Sequence, residues 1–489
     1  MTKKLAKLFG IGLLCIGLFL TGCGSNSIAR LPGGPSADAE VESQYGAVVT
    51  KGDYLYFING VYDSSVSSEF GKADVAERGY IYRAELNADG TLKEDSIMML
   101  CPKQVYTASA DAGLFLVGDR LYFGAVSTHR DKRGQLLTSY LDLYTVKLDG
   151  TDCRELTYLT SNTYTSKWME KDGKAYFVYI DTSTDAKGIH VVDQNGNNRT
   201  IVDEYVGTPI LGDDNYVYYT TQIEKPDQED VEEDEIRYES YYEVYRKAID
   251  GGEAELVLAK DSAVVNEKNA VTLTKVENGV LYYTYSDGAS LVAAYDLTSK
   301  KSATISHNAL TTVHKYLGFD ADGNYKGVIA TYESKLMFIR PDATKTSGYE
   351  EINLLERFSA VPSTILTIED NWLYYSDGSS ISRVDIGTYG AWKTHSEGDK
   401  IYGAAVNTTT FMPEVIGGYI YFLPTATDHP TYASYLYRLP KTNVITDEMD
   451  EDDIPDPEFL GQLTKGDQEI YDKAQEKIDK ENEKKENNA

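Results

Sequence analysis

Gly52-Asp53-Tyr54-Leu55-Tyr56-Phe57 joins a polar turn to a short aromatic strand core, and the chain repeats that pattern. Copies follow at Gly118-Asp119-Arg120-Leu121-Tyr122-Phe123, Asp172-Gly173-Lys174-Ala175-Tyr176-Phe177 and Asp214-Asn215-Tyr216-Val217-Tyr218-Tyr219. Later ones stand at Asn278-Gly279-Val280-Leu281-Tyr282-Tyr283, Asp370-Asn371-Trp372-Leu373-Tyr374-Tyr375 and Gly417-Gly418-Tyr419-Ile420-Tyr421-Phe422. A weaker copy runs from Gly323 to Ile329. The copies recur about every 50 residues, the period of a radial β-repeat with one four-stranded blade per unit. The reading is therefore all-β: a β-propeller of about eight four-stranded blades, with seven as the alternative if the weak copy is not a strand.

Each copy is followed by further strands. Tyr80 to Leu86, Leu141 to Val146, Tyr242 to Arg246 and Tyr435 to Leu439 read as third strands. Asp89-Gly90, Asp149-Gly150, Asn195-Gly196 and Asp250-Gly251 come next, dipeptides that tolerate the positive φ of a tight hairpin. A fourth strand follows each, so the motif itself is the second strand of a blade. Whether Lys335 to Arg340 is the third strand after the weak copy decides between eight blades and seven.

Tyrosine is abundant (40 residues against 3 tryptophans). Two uses compete for it. A blade lies between two others, so both faces of its strands are buried and aromatic rings fill the space. The other use is a stacking platform for sugars or peptides.

The formal net charge is −30. Such a surface repels nucleic acid and anionic headgroups, so no nucleic-acid partner is expected. It suits a soluble, monomeric domain with a cation, a basic protein or a neutral ligand as partner. Four cysteines are present. Cys15 and Cys23 belong to the leader, and Cys101 and Cys153 fall in outer strands of neighbouring blades. Spacing leaves open whether that pair is a disulfide or two thiols.

The N-terminus carries Lys3, Lys4 and Lys7, then an apolar run from Leu8 to Leu20 of signal-peptide length. It ends in Leu20-Thr21-Gly22-Cys23, which resembles the lipobox of bacterial lipoproteins. The resemblance implies cleavage before Cys23, acylation of its sulfur, and a chain held on the extracytoplasmic face of the bacterial cell membrane. Two or more acyl chains give stable anchoring where one is reversible. The expected organisation is a signal peptide over 1–22, a lipidated flexible tether over 23–43, the propeller over 44–464 and a charged tail over 465–489.

Motifs of catalysis are missing from the sequence. It has no G-x-S-x-G elbow, no H-E-x-x-H and no phosphate- or dinucleotide-binding loop. The six histidines are dispersed, and His307 and His314, the closest two, read as loop residues, so neither a metal nor a cofactor is expected. The acidic run from Asp227 to Glu235 lacks the glycine and spacing of a calcium loop.

The connection between second and third strands is long in blades one (Asp63 to Glu77), two (Ser127 to Ser139), four (Gln222 to Tyr241) and eight (Thr425 to Ala433). Equivalent connections emerge on one face, and insertions in repeat proteins collect on the binding face. The candidate binding face carries Tyr62, Phe70, His129, Arg130, Lys132, Arg133, His429 and Tyr432. His129 to Arg133 is a basic cluster on an acidic protein, fit for local charge balance or for an acidic partner.

The motif, with the Leu148-Asp149-Gly150-Thr151 turn, resembles bacterial secreted propellers carrying a domain of unknown function. These are similar to the YWTD propeller of low-density-lipoprotein-receptor-related proteins. The YWTD tetrapeptide is absent, and Trp372-Leu373-Tyr374-Tyr375 is its distant echo. The eight-bladed lipoprotein that assists outer-membrane barrel assembly shares anchor and fold class. The reading is a membrane-anchored extracytoplasmic propeller that binds a protein, peptide or glycan without catalysis. The alternatives are a carbohydrate-active hydrolase or lyase with carboxylates at the propeller centre, and a scaffold for an envelope complex.

Overall fold

The computed structural model describes residues 39–43, 46–61, 78–101, 103–106, 113–137, 140–159, 164–183, 187–225, 237–259, 271–286, 290–306, 312–356, 358, 364–408, 411–425 and 435–461. Each repeat folds into a four-stranded antiparallel meander, giving eight blade sheets among these residues, seven of four strands and one, blade two, with a fifth strand added. Each of the seven clear copies of the motif is the second strand of its blade, as at Tyr54–Ile58, Arg120–Val126 and Trp372–Ser376. The weak copy is a true blade. Its second strand is Val328–Tyr332, and Lys335–Pro341 follows as the third.

Packing on both faces explains the aromatic run. In the second strand of blade two, Leu121 and Phe123 join the cluster shared with blade one, while Tyr122 between them joins Trp168 and Phe177 of blade three. Side chains alternate across a strand, so adjacent residues serve opposite neighbours. The motif tyrosines Tyr56, Tyr122, Tyr218, Tyr282, Tyr283, Tyr374 and Tyr421 are all buried. At these positions packing is the use the chain makes of tyrosine.

The turns between first and second strands need left-handed backbone, which Asn and Asp tolerate better than other non-glycine residues. Asp370 (φ 46°) and Asn371 (φ 72°) supply it in blade seven. In the later turns, Gly90 and Gly150 take φ 81° and 83°, while Asp89 and Asp149 each accept from a threonine amide and hydroxyl two residues on.

The ring closes between blades eight and one. Phe411, Tyr421, Leu423 and Leu436 share one core cluster with Leu55 and Phe57. Polar contacts fix the seam. Glu414, on the first strand of blade eight, accepts the Ala47 amide at 2.5 Å. Burial pushes its carboxyl up to about 8, although the Ala47 and Val48 amides pull the other way. A Cβ on Gly46 (φ 117°) would sit 2.6 Å from that carboxylate, so glycine is required there.

Arg438 is a second clasp, and one used elsewhere in the ring. Its guanidinium lies 4.0 Å from the Tyr419 ring centroid, bonds Glu458 at 2.6 Å, and donates to the Gly90 carbonyl of blade one at 3.0 Å. Arg83 over Tyr54 reaches Leu148 of blade two, and Arg383 over Trp372 reaches Lys441 of blade eight. An arginine on the third strand thus ties its blade to the next.

Val41–Ser43, at the end of the stretch read as tether, pairs antiparallel with the first strand of blade two (Phe115–Val117). Ala39 is buried there. First strands of neighbouring blades touch around the axis, so this segment adds a strand at the inner edge of its blade.

Candidate binding face

In an antiparallel meander, second-to-third connections and blade-to-blade connections share one face, here called the loop face. Of the candidate residues, His129, Arg130, Lys132 and Arg133 are described and stand there together on blade two. Tyr62, Phe70, His429 and Tyr432 lie outside the described residues, as do the acidic run from Asp227 to Glu235, His307 and Cys23.

The basic cluster is a tight hairpin. The Asp131 amide donates to the Gln135 carbonyl at 2.8 Å, and its carboxylate accepts the Arg133 and Gln135 amides at 2.8 and 2.9 Å. Arg130 donates to the Gly134 carbonyl at 2.7 Å. Residues 130–136 are exposed, Leu136 among them. No carboxylate forms an ion pair with Arg130, Lys132 or Arg133 among the described residues. The charge is therefore presented outward rather than neutralised locally.

Behind the hairpin, the His129 ring lies 4.5 Å from the exposed Tyr158 ring, and Tyr140 stacks on Tyr158 at 5.8 Å and 11°. The His129 imidazole also meets two carboxylates. Nε2 is 2.9 Å from Glu155 Oε1 and 3.7 Å from Asp142 Oδ1. Burial, with the Glu155 and Asp142 charges beside it, pushes the nearby Tyr144 hydroxyl up to about 12.

The other described histidines serve the fold. His314 packs edge-on against Phe358 and bonds the Thr331 hydroxyl at 2.5 Å, and burial lowers its pKa. His190 stacks on Tyr179 and bonds Thr200, and His395 bonds the Asp385 carbonyl.

A groove of about 370 Å³ opens on the same face between blades three and four. Its walls carry Lys187, Glu204, Tyr205, Gln222, Glu224 and the exposed Tyr238. Lys187 sits 4.5 Å from the Tyr205 ring centroid and donates to its carbonyl at 3.1 Å. The length of the blade-four connection pointed to this region. Lys187 and Tyr205 come from blade three, and no motif marks them.

Near the axis, Glu414 is the carboxylate whose protonation burial most favours, and its oxygen is committed to the Ala47 amide. It joins the first strand of blade eight to blade one at the ring closure. Cys101 and Cys153 meet across blades one and two, with sulfurs 2.8 Å apart.

The fold is an eight-bladed β-propeller, and its loop face carries an exposed polar and aromatic surface on blade two. No protein family and no curated protein matches the sequence. Among solved structures it is similar in shape to a prolyl endopeptidase, at 11% identity and TM-score 0.40 over 83% of this chain and 55% of that one. A Mycobacterium tuberculosis puromycin-hydrolyzing peptidase gives 11% and 0.36 over 82% and 63%. An oligogalacturonate lyase in complex with manganese gives 10% and 0.30 over 59% and 70%. The chain spans less than two thirds of the length of either peptidase, and likeness at this level carries no argument about activity.

Proposed function

We propose that this chain is a membrane-anchored extracytoplasmic β-propeller that binds a protein, peptide or glycan at its loop face, without catalysis. The observation that carries the reading is the outward basic hairpin of Arg130, Lys132 and Arg133, backed by the Tyr158 and Tyr140 rings. Arginine and tyrosine supply much of the energy at interfaces. A local positive field on a protein of net charge −30 also orients an acidic partner during approach. The groove by Tyr205 and Tyr238 adds polar and aromatic contact area on the same side.

Anchoring rests on Leu20-Thr21-Gly22-Cys23. Cys23→Ala is expected to leave the protein unprocessed at that site and without an acyl mass. A mature N-terminus elsewhere, with no lipid on Cys23, contradicts the anchor.

Binding is tested by a photo-crosslinking residue in the native envelope. Placed at Lys132 it is expected to trap a partner, and placed at Asp149, on the opposite face, it is expected to trap none. The reverse pattern moves the site to the turn face.

A further inference from the structure

Asp142 is the second residue of the third strand of blade two (Leu141–Lys147), and its side chain is fully buried. One oxygen, Oδ2, accepts the Thr128 amide at 3.0 Å and the Thr128 hydroxyl at 3.2 Å. The other, Oδ1, has no hydrogen-bond partner although it is equally inaccessible. It points to His129 Nε2, at 3.7 Å, too far for a hydrogen bond. A buried carboxylate oxygen without a donor is costly, and such groups are paired or coordinate metals.

His129 and Glu155 complete the set. Strand pairing sets Glu155 opposite Tyr144 and Tyr158 opposite Asp142, so all four side chains lie on one face of the sheet. The ligand atoms of His129, Asp142 and Glu155 all lie within 4.8 Å of one another. Ligands held at roughly 2.0–2.2 Å from one ion sit about 3–3.6 Å apart. Small side-chain rotations would bring the three into that range.

We infer that His129, Asp142 and Glu155 form a binding site for a first-row divalent transition metal ion. One imidazole nitrogen and two carboxylate oxygens suit zinc or manganese, whereas calcium and magnesium take oxygen ligands. Asp142 is fixed by Thr128, and His129 is held by its tilted ring contact with Tyr158 and by its backbone amide, which donates to the Ser127 hydroxyl. Ligands so held are pre-organised for a metal. Three protein ligands leave coordination positions open, and the partial exposure of His129 and Glu155 lets solvent or a carboxylate from outside reach them. The site stands on this geometry, whether or not the hairpin beside it docks a partner.

The test is zinc titration by calorimetry on the chelator-stripped full chain in detergent. Salt at about 0.15 M suppresses diffuse attraction to the acidic surface. One saturable zinc site per chain is expected, unaffected by excess calcium. His129→Gln and Glu155→Gln, both partly exposed positions, are expected to weaken it at least tenfold with an unchanged melting temperature of the metal-free protein. Asp142→Asn is expected to do the same if it folds, and the first two variants carry the test if it does not. Cobalt in place of zinc is expected to give visible absorption that His129→Gln changes. No saturable site, or zinc held equally well by His129→Gln, overturns the inference.

Discussion

Tyr122→Ala tests whether the repeat tyrosines hold neighbouring blades together. Tyr122 is 1% exposed, and its ring centroid lies 4.2 Å from that of Trp168 on the next blade. Truncation removes roughly 120–150 Å² of apolar ring from a dry interface, worth about 3 kcal/mol at 25 cal/mol per Å². Loss of the aromatic pair adds about 1 kcal/mol. The hydroxyl, which bonds Gln194 and Thr145, is separated by Tyr122→Phe, expected to cost only about 1 kcal/mol. Exposed Tyr158 is the control, and Tyr158→Ala is expected to cost under about 0.5 kcal/mol. Urea unfolding followed by tryptophan fluorescence reads the effect, with Trp168 reporting on the lost contact. A cost below about 0.5 kcal/mol for Tyr122→Ala, or an equal cost for Tyr158→Ala, would mean that the repeat tyrosines do not hold the blades together.

Three further outcomes concern two polar contacts at the ring seam and the cysteine pair. Glu414 is held protonated up to about pH 8 in the fold and ionises in the usual carboxylate range once unfolded. Between those values the folded state binds more protons, so this group's contribution to stability falls as the pH rises toward 8. Glu414→Gln, which keeps the acceptor for the Ala47 amide, is expected to flatten that fall, and an unchanged pH profile of the melting temperature contradicts it. Arg438→Met is expected to cost about 1–2 kcal/mol through the lost bond to the Gly90 carbonyl and the lost contact with the Tyr419 ring, since the half-exposed Glu458 is left solvated, and a loss near zero means that Arg438 does not clasp the seam. Cys101 and Cys153 are 52 residues apart in sequence with sulfurs in contact, so oxidation is expected to join them and stabilise the fold by up to about 4 kcal/mol. Two titratable thiols after oxidation, with no shift in melting on adding reductant, count against it.

The blades were legible because the strand core and the period agree in seven of the eight repeats, with turn dipeptides supporting several of them. Blade six shows the limit. Its first-to-second connection spans 317–327, so Tyr325 of the weak copy precedes the strand rather than sitting in it, and Lys335–Pro341 carried the pattern instead. The hairpin of Arg130 to Arg133 was visible as a charge anomaly. The metal set was not, because His129, Asp142 and Glu155 belong to three successive elements and only strand register brings them together. Glu414 looked like one acid among many, since nothing local records that the Ala47 amide arrives from the far end of the chain. The cysteine pair had the same difficulty: spacing placed both thiols on outer strands without giving their separation.

The proposed partner site is the loop face of blade two. Its direct test is capture from the native envelope by the lipidated protein and by the Arg130→Ala, Lys132→Ala, Arg133→Ala triple variant, across a salt series. Weaker capture and a shallower salt dependence are expected for the variant, with an unchanged melting temperature because all three side chains are exposed. Capture of the same partner by the triple variant, with equal strength and equal salt dependence, contradicts it.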